Sequence, residues 1–255
     1  TYFSASLQDD KTKKIKVITF DLDDTLWSVR PVLLNAEQIV FDWLEAYAPK
    51  LTQRFTVKSF MEWRWEKYQQ YPDMKHQISQ LRTKVMQLAL EEAGYSPPIA
   101  LQLAKQAFEV FIHERHQITP FDEAVPLLEA LQDNYVLGVL TNGNADVFRM
   151  NIGRFFDFSF SAEQLNASKP SLEPFIAAQK HAEVSADEIV HIGDNIDHDI
   201  NGALSAGSHA IWFNPKSVEA PEPLPDHNQE LRQAKTLSEI PALIDEIQSS
   251  VISHQ

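Results

Sequence analysis

Asp21-Leu22-Asp23-Asp24-Thr25-Leu26 follows directly on the apolar run Ile15-Lys16-Val17-Ile18-Thr19-Phe20. That run has the length, β-branching and aromatic content of a buried β-strand, entered from a polar, lysine-rich leader. Three carboxylates crowded at the end of such a strand repel one another, so their charged forms need a cation to coexist. Side chains alternate along an extended segment, which puts Asp21 and Asp23 on one face and turns Asp24 away. The implied chemistry is a metal-held carboxylate nucleophile with a second carboxylate moving protons.

Beyond Leu26 the apolar residues recur at spacings of three and four, and no strand signal interrupts them as far as residue 118. Leu33 to Tyr47, Val57 to Tyr68, Ile78 to Leu88 and Leu103 to His116 each read as a helix, with Gly94 and Pro97-Pro98 ending the third. Residues 30–118 are therefore expected to form an inserted all-helical subdomain. From Thr119 onward strands alternate with helices. Strands are expected at 135–140, 156–160, 188–192 and 209–213, and helices at 122–132, 146–155, from the cap at Ser171 through His181, at 200–206 and at 237–247. The proline-rich, acidic segment from Pro215 to Pro225 reads as an exposed loop. Such alternation predicts an α/β fold, a doubly wound and mainly parallel sheet, assembled from residues 1–29 and 119–255.

Composition narrows the function classes. The chain has 255 residues, 44% hydrophobic and 23% charged, as in soluble globular proteins. No apolar stretch approaches the roughly 18 residues a membrane-spanning helix needs, and the leader Thr1 to Lys14 has no apolar secretory core. A cytoplasmic enzyme is the expectation. The absence of cysteine removes disulfides, thiolate nucleophiles and Cys-type zinc sites together. A net charge of −14 disfavours nucleic acid and anionic membranes as partners. A small phosphorylated substrate stays open, because a divalent ion and one or two lysines can dominate a local field.

In open parallel α/β sheets, ligands lie beyond the carboxyl ends of the strands. Here those ends carry Asp21 to Thr25, then Thr141-Asn142-Gly143-Asn144, then Gly193-Asp194-Asn195-Ile196-Asp197-His198-Asp199; Ser168-Lys169-Pro170 precedes a helix start. Of only seven glycines, Gly143, Gly193, Gly202 and Gly207 lie in or beside these segments, as close ligand approach or positive φ would require.

In this order, with a helical insert after the first, the segments resemble the haloacid dehalogenase (HAD) superfamily of hydrolases across essentially the whole chain. Arg30-Pro31-Val32, Thr141-Asn142-Gly143-Asn144-Ala145 and Ser168-Lys169-Pro170 are similar to a bacterial subgroup of helical-cap phosphatases. Members of that subgroup act on flavin mononucleotide and on the ribitylamino-uracil phosphate of riboflavin synthesis. The resemblance implies that Asp21 attacks phosphorus to give an aspartyl-phosphate and that Asp23 is the general acid and base. It implies Mg²⁺ held by the side chains of Asp21 and Asp194 and the main-chain carbonyl of Asp23. Thr141, the backbone N–H of Asn142 and Lys169 would grip the phosphoryl oxygens. Asp199 would act through Lys169 or a metal-bound water, and Thr25 would support the turn. Asp197 does not fit the spacing and reads as a surface residue. An acid at position 23 separates phosphate chemistry from the dehalogenase branch. A phosphotransferase or mutase using the same aspartyl-phosphate, and a non-catalytic binding protein of this fold, are the alternatives.

Four other patterns invite chemistry. His113-Glu114-Arg115-His116 has HExH rather than HExxH spacing and reads as a solvated helix end. Gly202 to Gly207 has P-loop spacing but is followed by Ser208-His209, which fails the motif. Trp63, Trp65, Tyr68 and Tyr71 read as helix packing before they read as a ring-stacking platform. Arg82 is a candidate substrate contact from the third helix of the insert.

Overall fold

Ile15, Val17, Ile18 and Phe20 are all shielded from solvent, because the strand they form is covered on both faces, as parallel strands must be. The computed structural model describes residues 14–220, 224 and 227–253; most of the leader and part of the 215–225 segment lie outside the described residues. β1 (Val17–Phe20) pairs in parallel with β2 (Val136–Thr141) on one side and β4 (Ile189–Gly193) on the other, with Val17 level with Val136 and Ile189. β3 (Phe158–Ser161), β5 (His209–Phe213) and β6 (Leu231–Ala234) complete a six-stranded parallel sheet in the order β3-β2-β1-β4-β5-β6. The carboxyl ends of β1, β2 and β4 are thus neighbours, and the loops that follow them open on one side.

Between β1 and the rest of the sheet run α1 (Val29–Tyr47), α2 (Pro49–Thr52), α3 (Val57–Tyr68), α4 (Ile78–Glu92) and α5 (Pro97–Arg115). Ala36, Val40, Leu44, Met86, Leu90, Ala104 and Phe111 are among the residues of their own buried cluster, separate from the one around β1. Val32, on the first turn of α1, still belongs to the cluster beneath the sheet. The remaining helices are α6 (Ala124–Gln132), α7 (Ala162–Leu165), α8 (Glu173–Ala182), α9 (Gly202–Ser205) and α10 (Ile240–Ser253).

Several elements differ from the sequence expectation, each for a local reason. Pro97 and Pro98 do not end a helix; they occupy the first turn of α5, where the missing N–H costs nothing. The segment 146–155 is two 3₁₀ turns, split where Met150 adopts extended backbone. Ile196–Asn201 is π-helical, since Asn195 O accepts from both Asp199 N (2.9 Å) and Ile200 N (3.3 Å). β6 carried no apolar signal because Leu-Arg-Gln-Ala is a half-exposed edge strand.

Arg82 faces inward. It donates two bonds to Glu37, at 2.9 and 3.1 Å, and its guanidinium lies 3.5 Å from the ring centroid of Phe111. Arg64 also donates to Glu37, at 2.5 Å, and all three side chains are buried. Arg82 is therefore an internal brace of the helical unit, which corrects the reading of it as a substrate contact. Trp63 packs on Phe60 and Phe55, whereas Trp65 is exposed, so the aromatic residues do not form one platform. Burial alone would raise the Glu37 carboxyl, but Arg82 and Arg64 outweigh it and hold the group below its ordinary value. The stability this contributes is present above the unfolded carboxylate range and lost as pH falls through the folded value. Glu37→Gln leaves two buried arginines uncompensated and should cost about 3–5 kcal/mol of unfolding free energy in urea denaturation. An unchanged midpoint would show that the cluster is not a brace.

Candidate active site

Asp21 stands one residue past β1, its N–H donating to Ile192 O on β4 at 2.9 Å. The chain then turns sharply: Asp24 adopts a left-handed conformation (φ 61°), and its Oδ1 accepts from Val29 N at 2.9 Å, so Asp24 faces away and holds the start of α1. Asp21, Asp23, Thr141, Asn142, Gly143, Lys169, Asp194, Asn195, His198 and Asp199 line one cavity of about 180 Å³. The four sequence segments thus meet at one place. Asp197 is exposed and outside it.

Lys169 is the hub. Its buried ammonium donates to Asp21 Oδ1 (2.9 Å), Asp199 Oδ1 (2.6 Å) and Leu140 O (2.6 Å), which uses its three protons. The backbone around it is clasped by the Asn142 amide, which accepts from Lys169 N at 2.8 Å and donates to Lys169 O at 2.9 Å. The Asn142 side chain is therefore a clamp on the lysine loop. Thr141 Oγ1 accepts from Gly143 N at 3.1 Å and holds the turn after β2.

Asp199 is fully engaged. Oδ1 also faces His191 Nε2 at 3.0 Å, and Oδ2 accepts from Asn195 N at 3.0 Å. Because Nε2 meets a carboxylate it carries the proton, so Nδ1 accepts from the Thr19 hydroxyl at 2.8 Å. Gly193 is required here: a Cβ on it would lie 2.2 Å from Asp199 Cγ. Burial would raise the Asp199 carboxyl, but Lys169 and His191 overcome it and hold the group well below the usual carboxylate range. Lys169 is held above its ordinary value by Asp199 and Asp21, against the effect of burial.

The opposite holds for the other two acids. Burial pushes Asp21 well above its ordinary value, and the Asp199 and Asp194 charges add to that while Lys169 opposes it. Asp194 is pushed up to about 6, again by burial first and by Asp199 next. Thr25, fully buried, donates towards both of them, 3.2 Å from Asp194 Oδ1 and 3.5 Å from Asp21 Oδ2. Ligand atoms of Asp21, Asp194 and Asp199 all lie within 4.8 Å of one another. With both Asp199 oxygens and Asp21 Oδ1 engaged, Asp21 Oδ2 and the Asp194 carboxylate are left facing the Thr25 hydroxyl. Among the described residues, the lysine and arginine partners of Asp21, Asp23, Asp194 and Asp199 are Lys169 and Arg115. A divalent oxygen-seeking cation would supply the missing positive charge.

Arg115 and His116 correct the sequence reading directly, for this is not a solvated helix end. Arg115 is 2% exposed and donates through Nη2 to Asp23 Oδ2 at 2.5 Å. His116 is buried as well; its Nδ1–H donates to Ile112 O at 2.5 Å and its Nε2 accepts from Asp146 N at 2.8 Å. A charged run at the end of a helix gave no sign of burial, because Asp23 and Asp146, which meet Arg115 and His116, lie more than twenty residues away in sequence. Further contacts join the helical unit to the sheet: His76 Nδ1 to Ser168 Oγ (2.5 Å), Gln77 Nε2 to Glu163 O (3.0 Å), and Ser79 N to the Glu163 carboxylate.

A family of haloacid dehalogenase-like hydrolases matches residues 15–207. Among curated proteins, 5-amino-6-(5-phospho-D-ribitylamino)uracil phosphatase YigB of Escherichia coli (strain K12) is 30% identical over 80% of this chain and 85% of its own. Glyceraldehyde 3-phosphate phosphatase of Methanopyrus kandleri is 26% identical over 83% and 89%. Among solved structures, one described as 2-haloacid dehalogenase from Pseudomonas syringae pv. Tomato DC3000 is 43% identical with a TM-score of 0.83, covering 91% of this chain and 99% of that one.

The raised values of Asp21 and Asp194 carry a sign. Each folded value lies above the unfolded one, so their contribution to stability is complete below about pH 4 and is lost as pH rises through the folded value, about 6 for Asp194. In EDTA, Asp194→Asn should therefore raise the thermal midpoint, and the gain over the unmodified protein should grow from pH 5 to pH 7.5. Thermal unfolding at those pH values that gave no gain would remove the uncompensated charge.

Proposed function

This chain belongs to the haloacid dehalogenase-like hydrolases, and we propose that within them it is a magnesium-dependent phosphatase acting on a small-molecule phosphate monoester through an aspartyl-phosphate. The observation that carries the reading is the juxtaposition of two acids with opposite supports in one cavity: Asp21 beside Lys169 and Asp194, and Asp23 held apart by Arg115 and Trp27. Asp21 Oδ attacks phosphorus while Asp23 gives its proton to the leaving alcohol oxygen as the P–O bond breaks. Asp23, now a carboxylate, takes a proton from the water that attacks the aspartyl-phosphate, and orthophosphate departs. Thr141 and the Asn142 N–H hold the phosphoryl oxygens, and Lys169 supplies a fixed positive charge beside Asp21. The side chains of Asp21 and Asp194 and the carbonyl of Asp23 would hold Mg²⁺, whose charge, when bound, offsets that of the phosphate and the two aspartates.

Residues 30–118 are proposed as a cap over a core of residues 1–29 and 119–255, selecting the leaving group and excluding water. The activities by which those two relatives are named support a small phosphorylated metabolite. Flavin mononucleotide or a riboflavin-pathway phosphate is the substrate class proposed first, with the uracil phosphatase as its support. Among the described residues no helix is long and apolar enough to cross a membrane, and a cytoplasmic location is part of the proposal.

Haloacid dehalogenation is a second reading, favoured by the 43% identical structure of that description. A halide leaves carbon without needing a proton, so that reaction has no use for an acid at position 23. Asp23, supported by two donors, weighs for the phosphatase.

Phosphate release from a panel of nucleotides, flavin mononucleotide, sugar phosphates and pyridoxal phosphate should identify substrates, with no halide released from 2-chloropropionate. Asp21→Asn should lower turnover by a factor on the order of 10³ or more without lowering the thermal midpoint. EDTA should inactivate and Mg²⁺ restore. Halide release with no phosphate release would replace the proposal by its rival.

A further inference from the structure

We propose that Arg115 is a positioning residue for proton transfer, fixing the Asp23 carboxyl from the helical unit; this rests on the phosphatase reading above. The Asp23 carboxyl is gripped from two sides. Trp27 Nε1, on the core side of the turn and fully buried, donates to Oδ1 at 3.2 Å, and Arg115 Nη2 donates to Oδ2 at 2.5 Å. Two donors from different elements set both the plane and the position of the group, which a proton donor needs to within a few tenths of an ångström.

The surroundings are shaped for this contact. A Cβ on Gly143 would lie 2.9 Å from Asp23 Oδ2 and 3.2 Å from Arg115 Nη2, so glycine lets the β2 loop close over the pair. Arg115 is the last residue of α5, and the next residue, His116, ties the helix end to Asp146 beyond that same loop. Its other terminal nitrogen, Nη1, is buried with no hydrogen-bond partner. Of its two terminal nitrogens, the one that finds a partner is the one aimed at Asp23.

The arginine acts through Asp23, so its loss should be felt where the leaving oxygen needs a proton and little where it does not. The test is kcat/KM for a series of phosphate monoesters, from alkyl phosphates to 4-nitrophenyl phosphate, with the unmodified protein, Arg115→Gln, Asp23→Asn and the double variant. For Arg115→Gln the value should fall on the order of tenfold or more for alkyl esters and less than about threefold for 4-nitrophenyl phosphate, steepening the dependence on leaving-group pKa. The double variant should be no worse than Asp23→Asn alone. Arg115→Lys, which keeps the charge, should recover part of the alkyl activity and covers the case in which the glutamine variant does not fold. An equal fall across the series, or none, overturns the proposal. Absence of all phosphate release by the unmodified protein would instead overturn the phosphatase reading itself.

Discussion

The ammonium of Lys169 is the contact on which this molecule turns. Buried between Asp21, Asp199 and Leu140 O, it has no water to return to, and each partner would be a bare buried charge or carbonyl without it. From Asp199 the chain of contacts continues through His191 to Thr19 on β1, so the central strand and the lysine loop hold one another in place. One positive charge is divided between two acids. Asp199 takes the larger share, and burial together with the Asp199 and Asp194 charges keeps Asp21 raised and short of compensation.

That shortage is reactive potential arranged in advance. A carboxylate fully neutralised by its lysine would be a poor partner for a metal and a poor nucleophile. Thr25 links Asp21 Oδ2 to Asp194, and the proposed cation would sit between those two acids. The chain's overall charge of −14 gives no hint of this local balance; what decides it is burial, which turns small separations into large preferences.

The parts of this arrangement that were legible in the sequence are those written in local runs. Val17-Ile18-Thr19-Phe20 and Ile189-Val190-His191-Ile192 are apolar enough to be strands in any setting, and the polar residues after them fall at strand ends by counting alone. Asp199 was legible only through the family resemblance, which its distance from Asp194 fits. The illegible parts depend on what stands opposite. Arg82 could be placed on a helix but not turned towards Glu37, and Arg115 looked like any charged residue in a last turn. The π-helical segment after Asn195 follows from where Asp199 must reach, which no propensity encodes. β6 is a strand only because β5 offers it an edge.

Where the helical insert begins and ends has a consequence of another kind. Trp27 forms an antiparallel bridge with Pro120, and Phe121 N donates to Leu26 O at 2.8 Å, so the outgoing and returning chains lie side by side. A gene encoding such a sheet can gain, lose or exchange a stretch of coding sequence at that seam, and only a single junction has to heal. The stretch between can then differ among lineages while the strands around β1 keep their pairing.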